Sequence, residues 1–352
     1  MTGSMLAIRY YEPGKLRVEQ VPIPEPGPGE LVVKNYVVLT CGTDVKMYQR
    51  GHRLTKAPQI VGHEFAGTVS AVGAGVTNFS KGMKVVAANS APCSTCFYCR
   101  SHQPNLCEHL NEQLIGFGWP GAYAEYVRIP DRIVRQNTFR VPEGVRLEDV
   151  ASLEPLACVV HGWDLVSGVQ AGGTALVIGG GPIGLFHVQL ARLAGARHVA
   201  LCDVVRDRLK EAEGVGVDTT INSAKENLAE RVLALTEGRG ADIVVEAVGR
   251  KETWESTIGL CRKGGSVLLF GGCSSGTMTS FDAEKIHYGE LHIQGSFHHT
   301  PASVERAFRL IVSGEVSIKP LISHEMPLEK AEEALQLMGS GKSLKIALRP
   351  PS

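Results

Sequence analysis

The sequence predicts an α/β protein in two parts, a β-rich domain and a doubly wound parallel sheet. Three observations predict it. Up to about residue 150 the chain reads as short strands, at 30–39, 64–72 and 84–88, separated by Gly/Pro-rich connections such as 22–29. From about Thr174 apolar strands alternate with helix-like stretches. Between the first such strand and its helix stands a glycine cluster, Gly179-Gly180-Gly181-Pro182-Ile183-Gly184.

In order, residues 174–178 form a short apolar strand and 182–194 a helix. A strand at 198–202 and a helix at 206–214 follow. Further strands are expected at 242–245, 266–270 and 291–294. Helices at 301–313 and 328–339 and a strand at 344–348 close the chain. Strand–helix alternation of this kind places helices on both faces of a parallel sheet. No repeat at a fixed period breaks the pattern.

Composition narrows the function. The 352 residues suffice for two domains. Lys and Arg (36) balance Asp and Glu (36), and no basic block occurs, so nucleic-acid and anionic-membrane roles lack electrostatic support. No run of about 18 apolar residues predicts a membrane span. The first residues lack the basic and apolar regions of a signal peptide. Nine cysteines, four clustered and five scattered, fit a reducing compartment, so a cytoplasmic location is expected.

The clustered four are Cys93, Cys96, Cys99 and Cys107. Four soft sulfur donors on one loop match a closed, tetrahedral structural zinc site. An iron–sulfur cluster is the main rival, and a thiol redox sensor a further one.

The glycine cluster fits G-x-G-x-x-G. Gly179 permits the tight turn, Gly181 lets backbone N–H groups approach a pyrophosphate, and Gly184 allows close helix–strand packing. Pro182 and Ile183 open the helix whose positive end faces the phosphates. Asp203 ends the next strand, where a carboxylate accepts hydrogen bonds from ribose hydroxyls and repels a 2′-phosphate. NAD is therefore expected over NADP, although Arg208 nearby could receive a phosphate.

A second constellation combines Cys41-Gly-Thr-Asp44, Gly62-His63-Glu64-Phe-Ala-Gly67 and Ser152-Leu-Glu154-Pro155. Cys41, His63 and a carboxylate make an open zinc site, with one position left for water or substrate. Singly, Cys41 reads as a small buried hydrophobe and His63 as a structural histidine.

Together these segments resemble the zinc-dependent medium-chain dehydrogenase/reductase superfamily, over nearly the whole chain. Glu154-Pro155-Leu156 is similar to the sorbitol (polyol) and threonine dehydrogenase branch. The resemblance implies a GroES-like catalytic domain at 1–153, with the zinc lobe at about 90–110. A Rossmann domain would occupy 154–294, and 295–352 would return to the catalytic domain. It implies one catalytic and one structural zinc per subunit. Cys41 and His63 match catalytic-zinc ligands, with Glu64 and Glu154 as alternative carboxylate positions. Asp44 matches a group that orients His63, and Thr43 a proton-relaying hydroxyl. Val248 and Phe297 join the expected cofactor contacts. A homotetramer or homodimer is implied as well.

The reaction implied is hydride transfer between a secondary alcohol, such as a polyol or sugar alcohol, and NAD, giving a ketone in the cleft between the domains. Two positions depart from the branch. Lys46 stands where classical members carry a relay histidine. His298-His299 replace the Arg-Tyr pair that grips polyol hydroxyls in sorbitol dehydrogenases. Amino alcohols such as L-threonine remain open as substrates. So does a phosphorylated polyol met by Lys46, Arg50, His52 and Arg53. A noncatalytic nucleotide-binding protein is the alternative from another class.

Overall fold

Strand Leu31–Leu39 buries all but two of its nine side chains, as a strand covered on both faces must. It lies inside a seven-stranded sheet, in a computed structural model that describes residues 3–166, 169 and 172–351. The order of that sheet is Ile322–Pro327, Lys345–Arg349, Leu31–Leu39, Glu64–Val72, Lys84–Ala87 and Thr138–Arg140. Tyr126–Ile129 pairs with Leu31–Leu39 as well. The chain's last strand thus sits beside one of its first, with Ala347 opposite Leu39 and Leu348 opposite Val38. A hairpin of Ser4–Glu12 and Lys15–Pro22, extended by Gln59–Ile60, makes a smaller sheet.

The second sheet has six strands, all parallel. Its order is Thr219–Asn222, His198–Asp203, Thr174–Ile178, Ala241–Glu246, Cys261–Leu269 and His292–Gly295. In chain order this is 3-2-1-4-5-6, the doubly wound dinucleotide-binding arrangement. Its central strands are continuous buried runs, for example ALVI at 175–178 and VALCD at 199–203, because helices cover both faces.

The chain divides into two compact units, Met1–Ala157 with His299–Ser352, and Cys158–His298. The expected cuts at 153/154 and 294/295 lie four residues earlier in each case. The first division falls within helix Leu153–Asp164, which starts at Leu153 and runs unbroken through Ala157.

Most expected elements of the second unit lie within a few residues of their places, including Thr174–Ile178 and helix Pro182–Leu193. The expected helix 206–214 changes pitch midway, α at Arg206–Glu211 and 3-10 at Ala212–Val215, before a left-handed Gly216. Strand Thr219–Asn222 and helices Leu228–Leu235, Lys251–Leu260 and Ala283–Gly289 were not expected. Each is short, and most of its residues are not buried, so its apolar pattern is thin.

Candidate functional site

Cys41 and His63 meet because two turns hold them. Cys41 caps helix Gly42–Arg50, and its backbone N–H donates to Asp44 Oδ2 at 3.1 Å. His63 follows Gly62, whose φ of 86° favours glycine. A side chain at Gly62 would collide with the Tyr123 ring. Gly116 and Gly121 likewise let the 115–123 segment close over the backbone of residues 61–63.

The donor atoms of Cys41, His63 and Glu64 all lie within 4.8 Å of one another. His63 and Glu64 are buried, and Cys41 is half-buried. Sulfur, imidazole and carboxylate in one pocket fit a zinc site with room for a further ligand. His63 Nδ1 lies 3.2 Å from Asp44 Oδ1, while the Tyr123 hydroxyl donates to Asp44 Oδ2 at 2.9 Å. Asp44 thus stands between the Tyr123 hydroxyl and His63 Nδ1, the place of a carboxylate that orients a metal-ligating imidazole. Burial, then the Asp44 carboxylate, pushes Tyr123 well above the usual phenol range, so it stays a donor.

Glu154 stands in a second group, its carboxylate within 4.8 Å of a ring nitrogen of His299. His299 Nε2 lies 3.2 Å from Asn89 Oδ1. Thr43 is half-buried in the first turn of helix Gly42–Arg50. Lys46, Arg50 and Arg53 are exposed, whereas His52 is half-buried. The His52 ring packs on Phe117 at 4.8 Å, and Phe117 packs on His63 at 5.4 Å.

Behind the carboxylate lies a buried lysine. Lys345 Nζ donates to Glu64 Oε1 at 2.6 Å, to Oε2, and to the Thr40 carbonyl at 3.2 Å. Burial opposes its charge, and the Glu64 carboxylate outweighs burial, so Lys345 holds its proton more tightly than a free lysine.

In the loop at 93–107, Cys93 and Cys99 sulfurs are 3.9 Å apart, and Cys96 and Cys99 sulfurs 3.5 Å. These separations rule out disulfides, whose sulfurs are about 2 Å apart. They match sulfurs sharing one tetrahedral zinc, about 3.8 Å apart for Zn–S bonds of about 2.3 Å. The Cys107 donor atom completes the group within 4.8 Å. The Thr95 hydroxyl brings the Cys93 thiol down to about 5, while burial pushes Cys99 up to about 12. A bound cation overrides that split, because it ligates thiolates.

In the second unit, Gly179 has φ 111°, and a Cβ there would lie 2.9 Å from Val248 Cγ2. A Cβ on Gly184 would strike the Gly179 carbonyl. Gly181 caps helix Pro182–Leu193, with Pro182 in the first turn, and the space at its Cα is open. Ile183 lies in that same turn. The room and the N–H groups suit a pyrophosphate. Asp203 is buried, with Oδ2 accepting from Gly180 N and Oδ1 from Val205 N, both at 2.7 Å. Arg208 approaches Asp203 Oδ2 at 3.7 Å. Phe297 is 62% exposed, its ring 5.7 Å from that of His298.

Sequence reasoning missed Tyr123, Phe117, Lys345 and Glu246. Glu246 ends strand Ala241–Glu246, and its Oε1 accepts from Val248 N, Gly249 N and Thr253 Oγ1. Its own carbonyl accepts from Phe270 N and Gly271 N, so one residue braces two loops beside the glycine turn. Its place two residues before Val248 was the available signal.

Residues 27–142 match the alcohol dehydrogenase GroES-like domain, and residues 182–313 the zinc-binding dehydrogenase family. The chain is 34% identical over 341 residues to a sorbitol dehydrogenase of Halalkalibacterium halodurans, covering 96% of each. It is 34% identical to an L-threonine 3-dehydrogenase of Symbiobacterium thermophilum, covering 99% of each. A zinc-binding dehydrogenase of Sinorhizobium meliloti 1021, solved bound to NADP, superposes with a TM-score of 0.92 at 32% identity, covering 99% of this chain and 100% of that one. The chain belongs to the zinc-dependent medium-chain dehydrogenase/reductase superfamily, in the branch of the polyol and threonine dehydrogenases. It is a zinc-dependent oxidoreductase that acts on an alcohol with a nicotinamide dinucleotide.

Proposed function

We propose that the protein transfers hydride between a secondary alcohol of a polyol or sugar alcohol and NAD, with Cys41, His63 and a carboxylate holding the catalytic metal. The gathering of Cys41, His63 and Glu64 donor atoms within 4.8 Å, with Asp44 and Tyr123 behind His63, carries this reading. A zinc ion held there supplies Lewis acidity toward an alcohol or carbonyl oxygen. Thr43 serves as the hydroxyl that hands the substrate proton outward. Phe117 and half-buried His52 supply an apolar wall and a polar edge near His63. Glu154 is the alternative carboxylate for that metal, with a ring nitrogen of His299 close to it. Cys93, Cys96, Cys99 and Cys107 hold a second, structural zinc.

The cofactor rests on Gly179, Gly181, Pro182, Ile183 and Gly184, with Val248 packed against the turn and Phe297 near the nicotinamide end. Asp203 favours NAD, because a buried carboxylate disfavours a 2′-phosphate. Arg208 alongside it moderates that preference. Asp203→Ser should lower the ratio of NAD to NADP kcat/KM by roughly tenfold or more, about 1.4 kcal/mol. An unchanged ratio would remove Asp203 from cofactor selection. The subunit acts in a cytoplasmic homo-oligomer, a tetramer or a dimer, and sedimentation of the purified protein checks the assembly.

The deciding experiment follows nicotinamide reduction with polyols, inositols, L-threonine and simple secondary alcohols, for the native enzyme and Cys41→Ser. Turnover on one class, lost in the variant, supports the reading and selects the substrate. Full turnover by Cys41→Ser would discard the metal assignment.

A further inference from the structure

Glu246 is fully buried at the last position of strand Ala241–Glu246. Register places it opposite Ile178 on one side and Leu269 on the other. Ile178 leads into the glycine turn, and Leu269 leads into the loop at 270–272. Glu246 therefore stands where three segments leave the sheet together, at the carboxyl ends of its strands.

Its bonds tie two of those segments. Oε1 accepts from Val248 N at 3.0 Å, Gly249 N at 2.9 Å and Thr253 Oγ1 at 2.6 Å. Its carbonyl accepts from Phe270 N at 3.0 Å and Gly271 N at 2.9 Å. The third segment is joined next door, where Ala247 N donates to the Ile178 carbonyl at 2.9 Å. Glycines let the two loops close on each other. A Cβ on Gly271 would strike Gly249 N and Glu246 Oε2, and one on Gly249 would strike the Gly272 carbonyl. From helix Lys251–Leu260 the Trp254 indole N–H donates to the Gly271 carbonyl at 2.8 Å. Burying a carboxylate is unfavourable unless its bonds are made, so a strand end that needed only filling would hold an apolar side chain at lower cost.

The sheet order assigns these loops to one half of a dinucleotide site. Thr174–Ile178, His198–Asp203 and Thr219–Asn222 make the first mononucleotide half, and Ala241–Glu246, Cys261–Leu269 and His292–Gly295 the second. Asp203 belongs to the first half, on the adenosine side. The loops at 247–250 and 270–272 belong to the second.

We propose that Glu246 is a positioning residue for the nicotinamide half of the cofactor, holding the loops at 247–250 and 270–272 together as one wall of its crevice. This rests on the reading that the glycine turn and Asp203 hold the dinucleotide by its adenosine side. Without the carboxylate, Val248 N and Gly249 N lose their acceptor and the two loops are free to part.

The test titrates the full-length protein with NADH and with AMP, by calorimetry. Glu246→Met keeps the volume and removes the acceptors. NADH affinity should fall roughly tenfold, the scale of a lost hydrogen bond to a charged group, while AMP affinity stays within about twofold. Glu246→Gln keeps an acceptor oxygen for the N–H groups and should regain most of the NADH affinity. Equal losses for both ligands would mean a general loosening of the strand ends. Native NADH affinity in a folded Glu246→Met would mean that the carboxylate only fills space. Either result overturns the proposal.

Should Glu246→Met not fold, Thr253→Val decides. It removes one bond to Oε1, and NADH affinity should fall roughly threefold relative to AMP, with Thr253→Ser restoring it. An unchanged ratio of the two affinities would sink the idea. Failure of the underlying reading looks different. Gly181→Asp, at a position where a Cβ meets open space, would then leave both affinities unchanged.

Discussion

Asp44 illustrates how much one side chain can organise. Its carboxylate accepts from Cys41 N and from the Tyr123 hydroxyl, and it faces His63 Nδ1. Three segments distant in sequence are thus registered to one buried carboxylate. Tyr123→Phe removes a single hydroxyl and keeps the ring that packs on Gly62. Zinc affinity at the Cys41–His63 site should fall by roughly 10- to 100-fold while the fold stays intact. Chelator titration with circular dichroism checks both statements. Unchanged affinity would reduce Tyr123 to a packing role.

Among elements, helix Pro182–Leu193 carries an unusual burden. Its positive end faces the glycine turn, and its middle buries His187 completely. The Trp163 indole N–H donates to His187 Nδ1 at 3.1 Å, and the Phe270 ring meets it edge-on. Burial lowers the His187 pKa from 6.5 to about 3. The unfolded chain therefore takes up a proton that the folded chain refuses across that interval. Stability contributed by neutral His187 is complete above about pH 6.5 and is lost as pH falls toward 3. The loss reaches about 2 kcal/mol at pH 5. Urea unfolding at pH 7 and pH 5 should show it for the native protein. His187→Gln should flatten the difference, and an equal drop in the variant would assign the pH dependence to other groups.

Element boundaries were legible wherever one period dominated. Runs such as TALVI at 174–178 and the capped PIGLFHVQLARL at 182–193 declare themselves by hydrophobic pattern and glycine punctuation. Short surface helices such as Ala283–Gly289 do not, because few of their residues reach the core. Metal donors were legible as residue types, since cysteine spacing is a local signal. Their partners were not. Tyr123 lies 79 residues from Asp44, and Lys345 lies 281 from Glu64, so no periodicity or spacing connects them.

On the scale of the whole molecule, the first compact unit is closed by the last part of the chain. Strand Lys345–Arg349 joins Leu31–Leu39 to Ile322–Pro327, and Arg349 pairs with Glu148 and Glu325. Ending the chain after Leu344 deletes that strand and leaves Glu64 buried without its cation. Removing one partner of a buried pair costs about 3–5 kcal/mol before the lost strand is considered. Limited proteolysis should find residues of the first unit cleaved while 158–298 survives and still binds a dinucleotide. A truncated chain that resists proteolysis throughout would show that the final strand is dispensable.

The two groups of metal donors also differ in when they can exist. Cys93 and Cys107 are fourteen residues apart, so all four sulfurs of that group are present almost as soon as the segment leaves the ribosome. Glu64 must wait for Lys345. At about 5–20 residues per second, that interval is roughly fifteen seconds to a minute of synthesis. During it, the Glu64 carboxylate lacks the cation that neutralises it in the finished fold. The arrival of the final strand supplies that charge and the last backbone partner of Leu31–Leu39 in one step.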